Sequence, residues 1–527
     1  MKLLMQSALL LVGSLVATSQ AKDATMTPES YGDDVVEATI RKVQDSCIFP
    51  NDFQFMRRVA WVESKFGQDL KSKWDSFQGL GGIWQVDPIG VNDTQARLSA
   101  TKKKEISDIL KIDLDSLNRK KGDLRVPTYG YLISRSYLSL VPNPIPMDLN
   151  GQAQYWVDHY NKGGAGTVDK FLKDVKSIMP LCSNGGADLV FVLDSSGSIG
   201  SATFQNVRDF TAGVIKKLDI NDFAFKVGIV VFSSNTRIVA QFNSYTSKEE
   251  LLGFVPTIPF MSGSTEMSAA LDHVATNSFT AAEGVRTENS GFPRVVVLVT
   301  DGQPDNLQAT LTAAQKVKQL GIQMFVVGVG TGIRPDYLRQ LASQPTCMHF
   351  YNLNSYSDLA QYFPDELKGQ ACSFVASAPA SGDEIDNTLS KDQVQYVKFQ
   401  VDPKQGVTFR IAMVKGECTV YISQTEQHPS EASYDYKINS DVDQGQIYID
   451  PDKLKPKSEF SQYLARLMES NDSSGNVTVF TAIKGLKDSN NFTLHYDPGD
   501  HRVSGANFLG ISALLMAGLL IGLGWMN

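Results

Sequence analysis

Five oxygen-bearing side chains sit in three short, separated stretches near the middle of the chain. They are Asp194, Ser196 and Ser198 in Asp194-Ser-Ser-Gly-Ser198, Thr265 at the end of Phe260-Met-Ser-Gly-Ser-Thr265, and Asp301 in Thr300-Asp301-Gly302. Carboxylate and hydroxyl oxygens are hard donors, so this set suits Mg²⁺, or Mn²⁺ or Ca²⁺, rather than a soft metal. With only two carboxylates in the set, a bound divalent ion is no more than neutralised, and with neutral hydroxyls completing the set it would keep a coordination position for a carboxylate from outside. Any one stretch taken singly reads as a helix cap or a turn. Taken together they require elements that deliver three loops to one place.

Those elements are legible. Asp188-Leu-Val-Phe-Val-Leu193 and Val295-Val-Val-Leu-Val299 are apolar runs of the kind found in buried parallel strands, and 226–232, 323–328 and 349–353 supply three more. Helical patterns at 204–218, 266–277 and 307–320 separate them, which implies an α/β doubly wound, Rossmann-like sheet. Loops at the carboxyl edge of such a sheet are where these folds bind ligands. The ordered set Asp-x-Ser-x-Ser, a threonine loop and Thr-Asp-Gly resembles the metal-ion-dependent adhesion site of von Willebrand factor A domains, over residues 187–372. The resemblance implies that Asp194, Ser196, Ser198, Thr265 and Asp301 hold a divalent cation directly or through water. It also implies an extracellular protein partner that presents an acidic residue.

Residues 22–182 carry motifs of another kind. Arg58-Val-Ala-Trp-Val-Glu-Ser64 has helical spacing with Glu63 near its carboxyl end, and Gly67 then permits a turn. Gly79-Leu-Gly-Gly-Ile-Trp-Gln-Val-Asp87, a helical stretch at 127–140, Tyr155-Trp156 and the run from Tyr160-Asn-Lys-Gly to Val168 follow in order. This set resembles goose-type lysozymes and soluble lytic transglycosylases, and so implies an α-helical lysozyme-like domain that docks or cuts a polysaccharide. By that resemblance Glu63 is the general acid, its pKa raised by apolar neighbours for which Trp61 and Trp84 are candidates. An inverting hydrolase also needs a distant base, for which Asp75 and Asp87 are the candidates, whereas a transglycosylase lets the sugar's own hydroxyl attack. The segment from Glu63 to Gly79 departs from those families, and Ile83-Trp84 replaces the smaller or more flexible pair usual before the glutamine.

From 383 to 498 the pattern turns to short alternating runs, Gln395–Val401, 407–413, 418–423, 477–483 and 492–496, separated by turn residues, as in a β-sandwich. It resembles the jelly-roll modules that follow secreted peptidase domains, with a spacing or binding role. The run Ala376-Ser-Ala-Pro-Ala-Ser-Gly382 reads as the joint before it.

The ends speak to location. Residues 1–21 read as a secretory signal peptide. The tail 504–527 is apolar with no Lys or Arg after its apolar core, which suits a glycosylphosphatidylinositol signal with Gly499 or Ser504 as attachment site; a membrane-spanning helix is the alternative. Sequons at Asn92, Asn471, Asn476 and Asn491 are compatible with the secreted side of a membrane. Forty-nine basic against 57 acidic residues give a formal charge of −8, and no basic run is interleaved with aromatics, so nucleic acid is not an expected partner. The six histidines lack zinc-ligand spacing and there is no Gly-x-x-x-x-Gly-Lys segment, which excludes the usual zinc and nucleotide-hydrolysing motifs.

Five cysteines, Cys47, Cys182, Cys347, Cys372 and Cys418, suit one or two disulfides. Cys182 with Cys372 would tie the ends of the central domain, as in some of the proteins it resembles, and Cys347 with Cys372 is the alternative. The resulting expectation is a secreted, surface-anchored adhesion protein. A tethered peptidoglycan-cleaving glycosidase and a structural extracellular-matrix protein are the competing readings.

Overall fold

The computed structural model describes residues 21–501 apart from 163, 165, 179–185, 223, 288–291, 331, 354–362, 370–372, 374, 378–383, 441–444 and 455–475. The signal segment, the apolar tail, Cys182, Cys372, Ser504 and Asn471 lie outside the described residues. Among those that are described, no helix is long and apolar enough to cross a membrane.

The central domain is a six-stranded sheet. Its order is Thr236–Ala240, Lys226–Phe232, Asp188–Asp194, Arg294–Thr300, Gln323–Val329, Phe350–Leu353, parallel throughout except for the first, an antiparallel edge strand that sequence reading did not identify. Alternation along the strands sorts the core into two layers. Leu189, Phe191 and Leu193 face Phe204, Val207, Phe210 and Val214 of helix Gly200–Lys217, while Val190 and Val192 share the other layer with helices Met267–His273 and Leu307–Gln319. Both faces of the sheet are covered, which is why Asp188–Asp194 is buried along its whole length and reads as a continuous apolar run.

The amino-terminal region is helical: Asp33–Gln44, Phe55–Ser64, Pro88–Arg97, Ala100–Leu110, Pro127–Leu138, Leu149–Tyr155 and Val168–Val175. Pro127–Leu138 starts on proline at its first turn and is buried on nearly all sides, so it forms the centre of this core. Phe55, Trp84 and Phe171 are large buried side chains that share this core with Tyr131 of the helix.

The carboxyl-terminal module stacks a five-stranded sheet (Tyr436–Asn439, Cys418–Ser423, Val477–Gly485, Val394–Val401, Val375–Ser377) and a four-stranded one (Gln446–Ile449, Val407–Lys415, Asn490–Pro498, Glu384–Leu389). Side chains from both sheets fill one core, among them Phe399, Phe409, Ile422, Ile483 and Leu494. The expected joint at 376–382 is partly wrong: Ala376 and Ser377 belong to a strand that pairs in parallel with Val394–Val401, because Val375 reaches Tyr396 and keeps the register.

Two of the connections between the modules are a covalent bond and a strand pairing, and sequence reading foresaw neither. Cys347 is bonded to Cys47 of the helical region, 300 residues away, which overturns the pairing of Cys347 with Cys372. Spacing could not reveal this, because the partner sits in another domain. Cys418 is a buried free thiol in the sandwich, and burial pushes its pKa up to about 12. Lys22–Asp23, at the start of the helical region, pairs as a strand with Ser433–Tyr434 of the sandwich, and Ala24 N–H donates to the Ala432 carbonyl at 2.8 Å.

Candidate functional site

The three loops singled out in the sequence meet at the carboxyl edge of the central sheet. Strand Asp188–Asp194 delivers the first, and its last residue is fully buried. The carboxylate of Asp194 accepts from Ser196 N–H at 2.9 Å and from the Thr300 hydroxyl at 2.6 Å, so the first and third loops are tied before any ligand arrives. Ser196 Oγ lies 3.0 Å from Ser198 Oγ, and Ser198 Oγ donates to Asp301 at 3.1 Å. Gly302 faces the remaining member: a Cβ built there would be 3.6 Å from Ser198 Oγ and 3.9 Å from Thr265 Oγ1. The second loop is pinned to the first by Gly197 N–H to the Gly263 carbonyl at 2.8 Å and Met261 N–H to Ser195 Oγ at 2.6 Å.

Burial pushes the Asp194 and Asp301 carboxyls up, and the negative charge of Asp194 pushes Asp301 further in the same direction. Among the described residues neither carboxylate forms an ion pair with a basic side chain, and buried charges are normally paired or bound to metal. The donor set is therefore chemically matched to a hard divalent ion, with hydroxyls supplying what clusters of His, Cys, Asp and Glu supply elsewhere; no such cluster of three exists among the described residues.

A third carboxylate was missed. Asp305 accepts from Thr265 N–H at 2.9 Å, and its charge raises the pKa of Asp194. The available signal was its position four residues after Asp301, on the same loop.

In the helical region Glu63 ends helix Phe55–Ser64, after which Lys65, Phe66 and Gly67 all adopt positive φ and turn the chain sharply. Ser64 Oγ donates to the Ile83 carbonyl at 2.6 Å, so the Glu-Ser pair and the glycine-rich segment are neighbours. Burial pushes the Glu63 carboxyl up to about 7, opposed by the Trp156 N–H that donates to it at 2.8 Å and by the charge of Lys170. Trp156 opens a π-helical turn, Trp156–Tyr160, of the kind often found where a helix is bent to place a side chain. Gly166 lies flat against that indole: a Cβ would meet it at 2.2 Å.

The tryptophan in contact with Glu63 is Trp156, and it acts as a hydrogen-bond donor that lowers the carboxyl's pKa rather than as the apolar wall expected from Trp61 and Trp84. Trp84 is buried with its N–H on the Met56 carbonyl, and Trp61 turns to the Asp174 carbonyl, each at 2.9 Å. The two candidate bases are differently placed. Asp75 is an exposed side chain paired with Arg125 at 3.2 Å, while Asp87 caps helix Pro88–Arg97 through Gly90 N–H at 2.6 Å. Tyr160, whose hydroxyl donates to the Trp84 carbonyl at 2.6 Å, feels the charges of both Glu63 and Asp87.

A doubly wound domain with an oxygen-lined rim is what the fold and site define, and comparison agrees on the domain. Residues 188–365 match the von Willebrand factor type A domain model and form a domain of that type. Matrilin-4 of Mus musculus is 32% identical over 200 residues, 38% of this chain and 31% of that protein, and matrilin-1 of Homo sapiens is 33% identical over 185 residues, 34% and 36% respectively. The chain thus spans about a third of the length of these relatives. Among solved structures, proximal thread matrix protein 1 from the mussel byssus is similar at 23% identity and a TM-score of 0.33, over 40% of this chain and 49% of that one.

Proposed function

We propose that this is an extracellular matrix or adhesion protein whose A domain engages a protein partner through a divalent cation at the Asp194, Ser196, Ser198, Thr265 and Asp301 rim. The observation that carries the reading is the convergence of a buried carboxylate, a half-buried one and several hydroxyls from three loops onto one sheet edge, with no basic side chain paired to either carboxylate among the described residues. The matrix part is supported by the similarity of residues 188–365 to matrilins. The bound ion would supply an electrophilic centre for a partner's carboxylate. The protein's own residues hold the loops in place, and the buried Asp194 and half-buried Asp301 favour a cation over an anion. The test is binding of the full chain to immobilised extracellular-matrix extract in Mg²⁺ and in EDTA. Binding that survives chelation removes metal-mediated recognition and leaves a structural matrix role.

A second reading rests on Glu63. A carboxyl raised to about 7 beside an indole N–H is poised to donate a proton near neutral pH, as a glycan-cleaving acid must. A turnover assay on peptidoglycan with the wild type and Glu63→Gln tests it, and equal rates would take Glu63 out of any such chemistry.

A further inference from the structure

Each backbone bond of the threonine loop can be traced to a neighbour. Ser262 N–H goes to the Ser195 carbonyl at 2.9 Å, Ser264 N–H to Ser234 Oγ at 3.0 Å, and Glu266 N–H to the Ser233 carbonyl at 3.1 Å. These anchors lie on the first loop and on the turn before the edge strand. Thr265 itself is held from elsewhere: its N–H goes to the Asp305 carboxylate at 2.9 Å, and the Asp305 N–H returns to the Thr265 carbonyl at 3.3 Å. Asp305 is exposed and four residues beyond Asp301, so it is the bridge between the second and third loops.

We infer that Asp305 is a positioning residue for the cation site proposed above, a two-bond latch that fixes the Thr265 hydroxyl relative to Asp301. The inference rests on that reading of the rim. The carboxylate acts through its hydrogen bond on the Thr265 backbone, which stops the threonine loop from swinging away on its flanking Ser262 and Gly263, both at positive φ. Because Asn retains an acceptor oxygen of similar placement while losing the charge, Asp305→Asn separates a latch from a simple electrostatic contribution.

The experiment is Mn²⁺ titration of the full chain, followed by electron paramagnetic resonance and by calorimetry, for the wild type, Asp305→Ala and Asp305→Asn, with ion-free melting curves for each. The expected result is that Asp305→Ala binds Mn²⁺ about tenfold more weakly, the factor for one charge-assisted hydrogen bond, while Asp305→Asn stays within about threefold of wild type and all three melt together without the ion. Wild-type affinity in Asp305→Ala would overturn the latch and leave the cation site standing. Equal weakening in both variants would overturn it in favour of charge alone. A wild type that takes up no Mn²⁺ at millimolar concentration would overturn the cation site and the latch with it.

Discussion

At the rim of the A domain, three loops are braced against one another by side chain and backbone, and their oxygens already lie within hydrogen-bond distance of each other. In the helical region one carboxyl stands beside one indole, and the groups that would complete a two-carboxylate mechanism are occupied: Asp75 in a surface ion pair and Asp87 in a helix cap. The first arrangement is a preassembled cage of many weak donors. The second is a single group whose chemistry depends on its burial. A multi-donor site can therefore be recognised from spacing, because several residues must satisfy the geometry at once, whereas a lone acid is defined by an environment that the sequence does not print.

The largest expected effect tests the weaker half of this comparison. If the helical region cuts glycan, Glu63→Gln should lower turnover on peptidoglycan by about 10²–10⁴-fold, the range for loss of a general acid. At the rim, Asp301→Ala should weaken Mn²⁺ uptake by more than about a hundredfold, since it removes a donor outright rather than a supporting contact, and calorimetry reads it directly. Cys47→Ser should cost about 2–5 kcal/mol in thermal unfolding and release the helical region to limited proteolysis separately from the A domain.

The smaller effects concern protons. At the junction of the modules, burial pushes Asp45 up to about 7 against the pull of Arg41, and burial with the charge of Asp45 pushes Glu426 up to about 7. Both folded values are raised, so the native state keeps protons that the unfolded chain releases; the stabilisation is complete below about pH 4 and lost as pH rises through 7. His428 works in the opposite sense, because burial lowers it to about 3 and the stability this confers is complete once pH passes about 6.5. The melting temperature should therefore fall as pH rises from about 5 to about 7, His428 partly offsetting the fall below pH 6.5, and Asp45→Asn combined with Glu426→Gln should flatten it. Last, Trp156→Phe removes the hydrogen bond that opposes burial at Glu63, so the Glu63 titration followed by NMR should move upward.

Much of the fold was legible because local pattern and burial agree. The strands at 188–194, 226–232 and 294–300 are covered on both faces and so carry unbroken apolar runs, while edge strand Thr236–Ala240 is half-exposed, carries Arg237 and gives no such signal. That the loops of Asp194, Ser196, Ser198, Thr265 and Asp301 share one sheet edge was legible from residue type and order. Asp305 was not, because its role is a bond to another loop's backbone rather than a motif position. Trp156 was seen only as part of a run, since its approach to Glu63 depends on a π-helical turn. Cys47 was unreadable as a partner of Cys347, because nothing in either neighbourhood encodes how two domains dock.

The bridge from Cys47 to Cys347 has a mechanical meaning. The residues from Glu63 to Asp301 considered above all fall inside the covalent ring that it closes. A pull applied between Lys22 and the sandwich would first shear the two-residue strand pairing of Lys22–Asp23 with Ser433–Tyr434. The load would then pass through the sulfur link, bypassing roughly 300 residues of folded chain. Under such a load the rim would stay slack while its flanks took the tension.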